Sequence, residues 1–85
     1  MKVSVLYFAS LREKLGCASE DLELAPGQAS VGALLAQLRA RGGAWAEALA
    51  EGRPVRCALN QDMVKPDARL NAGDEVAFFP PVTGG

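Results

Sequence analysis

The 85 residues carry 49% hydrophobic and 22% charged side chains, the composition of one soluble globular domain rather than of a disordered segment. Nine basic residues against ten acidic ones leave a net charge of -1, which excludes the clustered Lys and Arg of a nucleic-acid footprint. Histidine is absent, and with it the commonest general base and the commonest zinc ligand.

Lys2–Ala9 alternates β-branched, aromatic and leucine side chains and predicts a strand. Val3, Val5 and Tyr7 fall on one face and Ser4, Leu6 and Phe8 on the other, so both faces are largely apolar. Leu11–Gly16 predicts a short helical turn closed by Gly16. Arg12, Glu13 and Lys14 interrupt the apolar start too early for a secretory segment, and they spoil Leu15-Gly16-Cys17 as a lipoprotein cleavage site. No apolar run approaches the roughly 18 residues of a membrane span, so a cytoplasmic protein is expected. Cys17 and Cys57, with no C-x-x-C between them, are then expected to be buried or half-buried thiols, a disulfide between them requiring an exported chain.

Asp21–Leu24 predicts a second strand, with Leu22 and Leu24 inward, stopped by Pro26-Gly27. The main helix follows. Ser30 is its N-cap, and Val31, Leu34, Leu35 and Leu38 recur at i, i+3, i+4 and i+7. Arg39 and Arg41 suit the negative end of its dipole, and Gly42-Gly43 ends it. Ala44–Ala50 predicts a short second helix with Trp45 in the core. Val55–Leu59 predicts a third strand, Asn60-Gln61-Asp62 a turn, and Met63-Val64 a short strand ended by Pro66. Asn71-Ala72-Gly73-Asp74 is a turn, and Glu75–Phe79 a last strand with Val76 and Phe78 on one face. Pro80 and Pro81 cannot donate ladder hydrogen bonds, so the sheet ends there.

This order predicts an α+β fold, a mixed sheet of four to five strands with helices on one face. It is the order of a β-grasp domain, here residues 1–79. Residues 80–85 are expected to form an extended flexible tail ending in Gly-Gly. Val76–Gly85 contains no charged residue, unlike an ordinary frayed end. Pro80-Pro81 stiffens the stretch, and Gly84-Gly85 is slender enough to thread a narrow channel with its carboxylate unobstructed. From Pro80 to Gly85 the reach is at most about 20–22 Å.

Gly73-Asp74-Glu75-Val76-Ala77-Phe78-Phe79-Pro80-Pro81-Val82-Thr83-Gly84-Gly85 resembles the C-terminus of the small, sulfur-carrying subunits of molybdopterin synthase. Val3–Ala9 with Leu11-Arg12-Glu13, and Leu59-Asn60-Gln61, extend the resemblance along the chain. It implies a ubiquitin-like β-grasp fold whose working group is the carboxylate of Gly85. An E1-like adenylating enzyme would use ATP to make the acyl-adenylate, and sulfur from a donor would replace AMP to give a thiocarboxylate. Pro80, Pro81, Val82, Thr83 and Gly84 would insert into the large synthase subunit, in a heterotetramer of two small and two large subunits. The sulfur would pass to cyclic pyranopterin monophosphate, building the dithiolene of molybdopterin.

The residues agree with a carrier's role. A terminal carboxylate, with a pKa of about 3.3–3.7, is ionised at neutral pH and is a poor electrophile until activated. The chain has no G-x-x-x-x-G-K-[ST] loop, no histidine and no metal-ligand set, so activation falls to another protein. It is expected to bind no cofactor, nucleic acid or membrane. Carriers for thiamin synthesis or tRNA thiolation, ubiquitin-like modifiers, and a non-catalytic interaction module are the alternatives. Because helices cover only one face, Leu6, Phe8 and Phe79 are expected to lie on the other and to bind the partner.

Overall fold

β1 (Lys2–Tyr7) is the first strand; its alternation places Val3, Val5 and Tyr7 in the core, each 1% exposed or less. The computed structural model describes residues 1–25, 29–50 and 55–80. Pro26-Gly27, expected to stop the second strand, and Pro81, Val82, Thr83, Gly84 and Gly85 of the expected tail lie outside the described residues.

The first strand ends two residues earlier than its apolar pattern suggests, because Ala9 already belongs to α1 (Ala9–Leu15). Gly16 closes that helix in the left-handed region (φ 65°), its N–H donating to the Arg12 carbonyl, as expected for a C-terminal glycine. β2 (Ser19–Glu23) returns antiparallel to β1, with Val3 facing Leu22. α2 (Val31–Arg39) starts at Ser30, whose Oγ accepts from the Ala33 N–H at 3.1 Å. Its Val31, Leu34, Leu35 and Leu38 are all buried. α3 (Gly43–Ala48) follows directly. Trp45 on it is half-buried: it packs against the core cluster, edge to face with Tyr7, and the Arg41 guanidinium lies over its ring.

β3 (Arg56–Leu59) and β4 (Asp62–Val64) form a hairpin through Asn60 and Gln61, both at positive φ (49° and 73°). Asn tolerates that region well. Its side chain also fastens the hairpin to the turn before the last strand. Asn60 Nδ2 donates to Asp74 Oδ1, and Asn60 Oδ1 accepts from the Glu75 N–H, each at 3.0 Å. β5 (Glu75–Phe79) then runs through the middle of the sheet, parallel to β1 and antiparallel to β3.

The resulting five-stranded order is β2-β1-β5-β3-β4, the ubiquitin-like β-grasp arrangement. Val3, Val5, Tyr7, Cys57, Val76 and Phe78 face the helices and pack in one cluster with Leu11, Val31, Leu34, Leu35, Leu38 and Leu49. No helix of the described residues is long and apolar enough to cross a membrane.

Candidate functional site

Alternation along the strands leaves a second face that no helix of the described residues covers. One row across it is made of register partners: Leu6 faces Ala77, Ala77 faces Ala58, and Ala58 faces Met63. All four side chains are apolar. In the next row the parallel β1–β5 pairing, continued by the Phe8 N–H bond to the Phe78 carbonyl at 3.1 Å, sets Phe8 beside Phe79. Their rings meet edge to face, centroids 6.5 Å apart at 76°, a favoured aromatic geometry. Arg56 stands across from Phe79 on the other side.

The structure thus brings Leu6, Phe8 and Phe79 together on the open face. Phe8 is 45% and Met63 56% exposed, while Ala58 and Ala77 lie flush beneath their neighbours at 7% and 9%. Polar groups rim the patch: Ser4 faces Glu75, and Ser4 Oγ donates to Asp21 Oδ1 at 3.1 Å. An apolar centre with a polar rim is the anatomy of an interaction surface. Sequence reasoning missed Ala58, Ala77 and Met63. Alternation in the last strands carried that signal, but the pairing that aligns them did not show. Pro80, half-buried, leaves β5 at the Phe8 end of the patch.

A polar cluster occupies the helical side. The Tyr7 hydroxyl donates to Glu20 Oε2 at 2.8 Å, and Arg41 donates to both Glu20 oxygens at 2.9 and 2.7 Å. The Arg41 guanidinium also lies 4.4 Å from the centre of the Trp45 ring, which meets Tyr7 edge to face. Burial, reinforced by the bond to Glu20, drives the Tyr7 hydroxyl far above its ordinary pKa. The paired Arg41 guanidinium holds the Glu20 carboxyl below the usual carboxylate range; burial opposes it, and the Tyr7 hydroxyl adds to it. Among the described residues no buried side-chain polar atom lacks a partner.

This pair gives a pH-dependent prediction. A carboxyl whose pKa is lower in the folded chain than in the unfolded one adds stability above the unfolded value, about 4.3, and loses it as pH falls through the folded value. Glu20→Gln is expected to cost about 1 kcal/mol at neutral pH, as a partly exposed bidentate pair should. That lowers the melting temperature by about 4–8 °C. Melting curves at pH 7 and pH 3 check it, since the gap between variant and parent should narrow toward the acid end. An unchanged gap at pH 3 would assign the loss to packing rather than charge.

Neither cysteine is in a disulfide. Cys57 is buried, and burial pushes its thiol up to about 11, so little thiolate forms at neutral pH. Half-buried Cys17 donates to the Ser19 carbonyl at 3.4 Å. Among the described residues no group of three or more Cys, Asp or Glu is placed to hold a metal ion.

The family model named ThiS family matches residues 5–85. The molybdopterin synthase sulfur carrier subunit of Escherichia coli K12 is 45% identical over 83 residues, covering 98% of this chain and 99% of that protein. A solved structure, the putative molybdopterin converting factor subunit 1 of Pyrococcus furiosus, is 34% identical. It superposes with a TM-score of 0.78 over 96% of this chain and 99% of its own. The small archaeal modifier protein 1 of Haloferax volcanii, 26% identical, gives a TM-score of 0.74 over 95% and 98% of the two chains. With nearly its whole length inside the family model, and a relative this similar from end to end, the chain belongs to the ThiS family.

Proposed function

We propose that this chain is the sulfur carrier subunit of molybdopterin synthase and that Gly85 is its working residue. The observation that carries the reading is the 45% identity, over 98% of the chain, to a protein bearing that name. The uncharged run Val76–Gly85 supports it, as does the apolar face from whose edge that run departs.

In this reading residues 1–79 are the docking domain and residues 80–85 the tail that delivers the sulfur. The Gly85 carboxylate attacks the α-phosphate of ATP in the site of an E1-like adenylating enzyme, releasing pyrophosphate and leaving an acyl-adenylate. A sulfur donor then forms the carbon–sulfur bond as the carbon–oxygen bond to AMP breaks. In the large subunit the thiocarboxylate sulfur forms a carbon–sulfur bond to cyclic pyranopterin monophosphate, and water cleaves its bond to the Gly85 carbonyl carbon and restores the carboxylate; the two sulfurs of the dithiolene consume two such tails. Leu6, Phe8 and Phe79 seat the domain on that subunit, in an assembly of two small and two large subunits in the cytoplasm. The chain itself binds no cofactor; ATP is consumed by its partner.

A second reading is a protein modifier, favoured by the likeness to small archaeal modifier protein 1. There the activated carboxyl would end in an amide with a lysine of another protein. Mass spectrometry separates the two after incubation with adenylating enzyme, ATP and a sulfur donor. The carrier gains the mass difference between sulfur and oxygen on its C-terminal peptide and then yields molybdopterin with the large subunit. Lysine conjugates without any thiocarboxylate would replace the carrier reading with the modifier.

A further inference from the structure

Ala9 adopts φ 53°, the left-handed region that residues other than Gly, Asn and Asp seldom enter. It is not a turn residue by composition, and its side chain is exposed, so no packing demands a small residue there. Strain of this kind persists only where the surroundings hold it, and it gathers at working sites.

Phe8, immediately before Ala9, has extended backbone (φ -122°, ψ 157°) and caps α1 without any side-chain hydrogen bond. Its N–H is tied to the Phe78 carbonyl of β5 at 3.1 Å, and its own carbonyl accepts from the Leu11 N–H at 3.1 Å. The chain must therefore pass from strand to helix within one residue, and Ala9 makes that reversal. Were Ala9 to relax into the ordinary helical or extended region, α1 could not start where it does while Phe8 kept its bond to β5. Phe8 would leave its place against Phe79.

We infer that Ala9 is a positioning residue: its left-handed backbone holds Phe8 on the open face, edge to face with Phe79, as half of an aromatic anchor for the large subunit. The inference rests on the docking reading given above and adds to it the backbone device that presents the anchor. Nothing in the apolar patch requires the strain otherwise, since Leu6, Ala58, Ala77 and Met63 are placed by ordinary strand alternation.

The test uses the full chain titrated against the large subunit of molybdopterin synthase, with a melting curve for each variant. Ala9→Asn and Ala9→Val add side chains of similar size but differ in tolerance of positive φ. Ala9→Gly and Ala9→Asn are expected to bind within about twofold of the parent, and Ala9→Val about tenfold more weakly, the scale of one lost interface contact. In a Phe8→Ala background the valine substitution should change affinity less than twofold, because the group it displaces is already gone. Ala9→Leu, a milder strain, serves in both backgrounds if the valine variant does not melt cooperatively. Equal losses for Asn and Val, full affinity for Val, or the same loss with and without Phe8 would each overturn the inference. Its failure is distinct from failure of the docking reading, in which Phe8→Ala and Phe79→Ala would themselves leave affinity unchanged.

Discussion

Removing Gly85, or adding one residue after it, is expected to reduce sulfur transfer by a hundredfold or more while leaving the melting curve in place. The reacting atom in the carrier reading is the last carbonyl carbon. Each residue added or lost moves that carbon by up to about 3.5 Å along an extended chain. Misplacement by about 1 Å already costs on the order of a hundredfold in a reaction that depends on alignment. Stability should not follow, because Gly85 comes six residues after β5 ends at Phe79. Single-turnover product formation and a thermal melt, run on the same preparations, check both halves. Undiminished product from the truncated chain would end the assignment of Gly85.

Phe79→Ala should separate docking from folding in the opposite way. The Phe79 side chain lies on the open face, half-buried, its ring edge to face with that of Phe8. Truncating an aromatic anchor in an interface typically costs about 2 kcal/mol or more, so affinity for the large subunit should fall about thirtyfold, at 1.4 kcal/mol per factor of ten. Leu35, at 6% exposure in the core, is the control. Leu35→Ala should cost about 2–5 kcal/mol of stability and lower the melting temperature by well over 8 °C in a domain of this size. One titration and two melting curves decide between them. If Phe79→Ala unfolds the domain as badly as Leu35→Ala and leaves affinity alone, the docking face lies elsewhere.

The elements were largely legible in the chain, because each rests on a local device. Ser30 caps α2, Gly16 closes α1, and the alternation of Val3, Val5 and Tyr7 against Leu6 and Phe8 assigns both faces of β1. What stayed hidden is long-range. Arg41 and Glu20 are 21 positions apart, and no local pattern pairs them, so the guanidinium over the Trp45 ring did not show. Met63, Ala58 and Ala77 join the open face only once β5 is seen to lie between β1 and β3. The strained backbone at Ala9 was invisible too, since Ala is a common helix former and carries no mark of positive φ.

The central place of β5 also bears on how the chain is made. β1 and β5 stand side by side, Ser4 against Glu75, so the last strand of the described residues is the one that joins the two halves of the sheet. Until it arrives, β2-β1 and β3-β4 are separate two-stranded ribbons, which are marginal in water at best. Folding must therefore wait for β5, and closing so distant a pair makes it slow relative to helical domains of equal length. A chain whose synthesis stops before Glu75 lacks the strand that joins the two ribbons, so it cannot present the open face on which Phe8 and Phe79 meet.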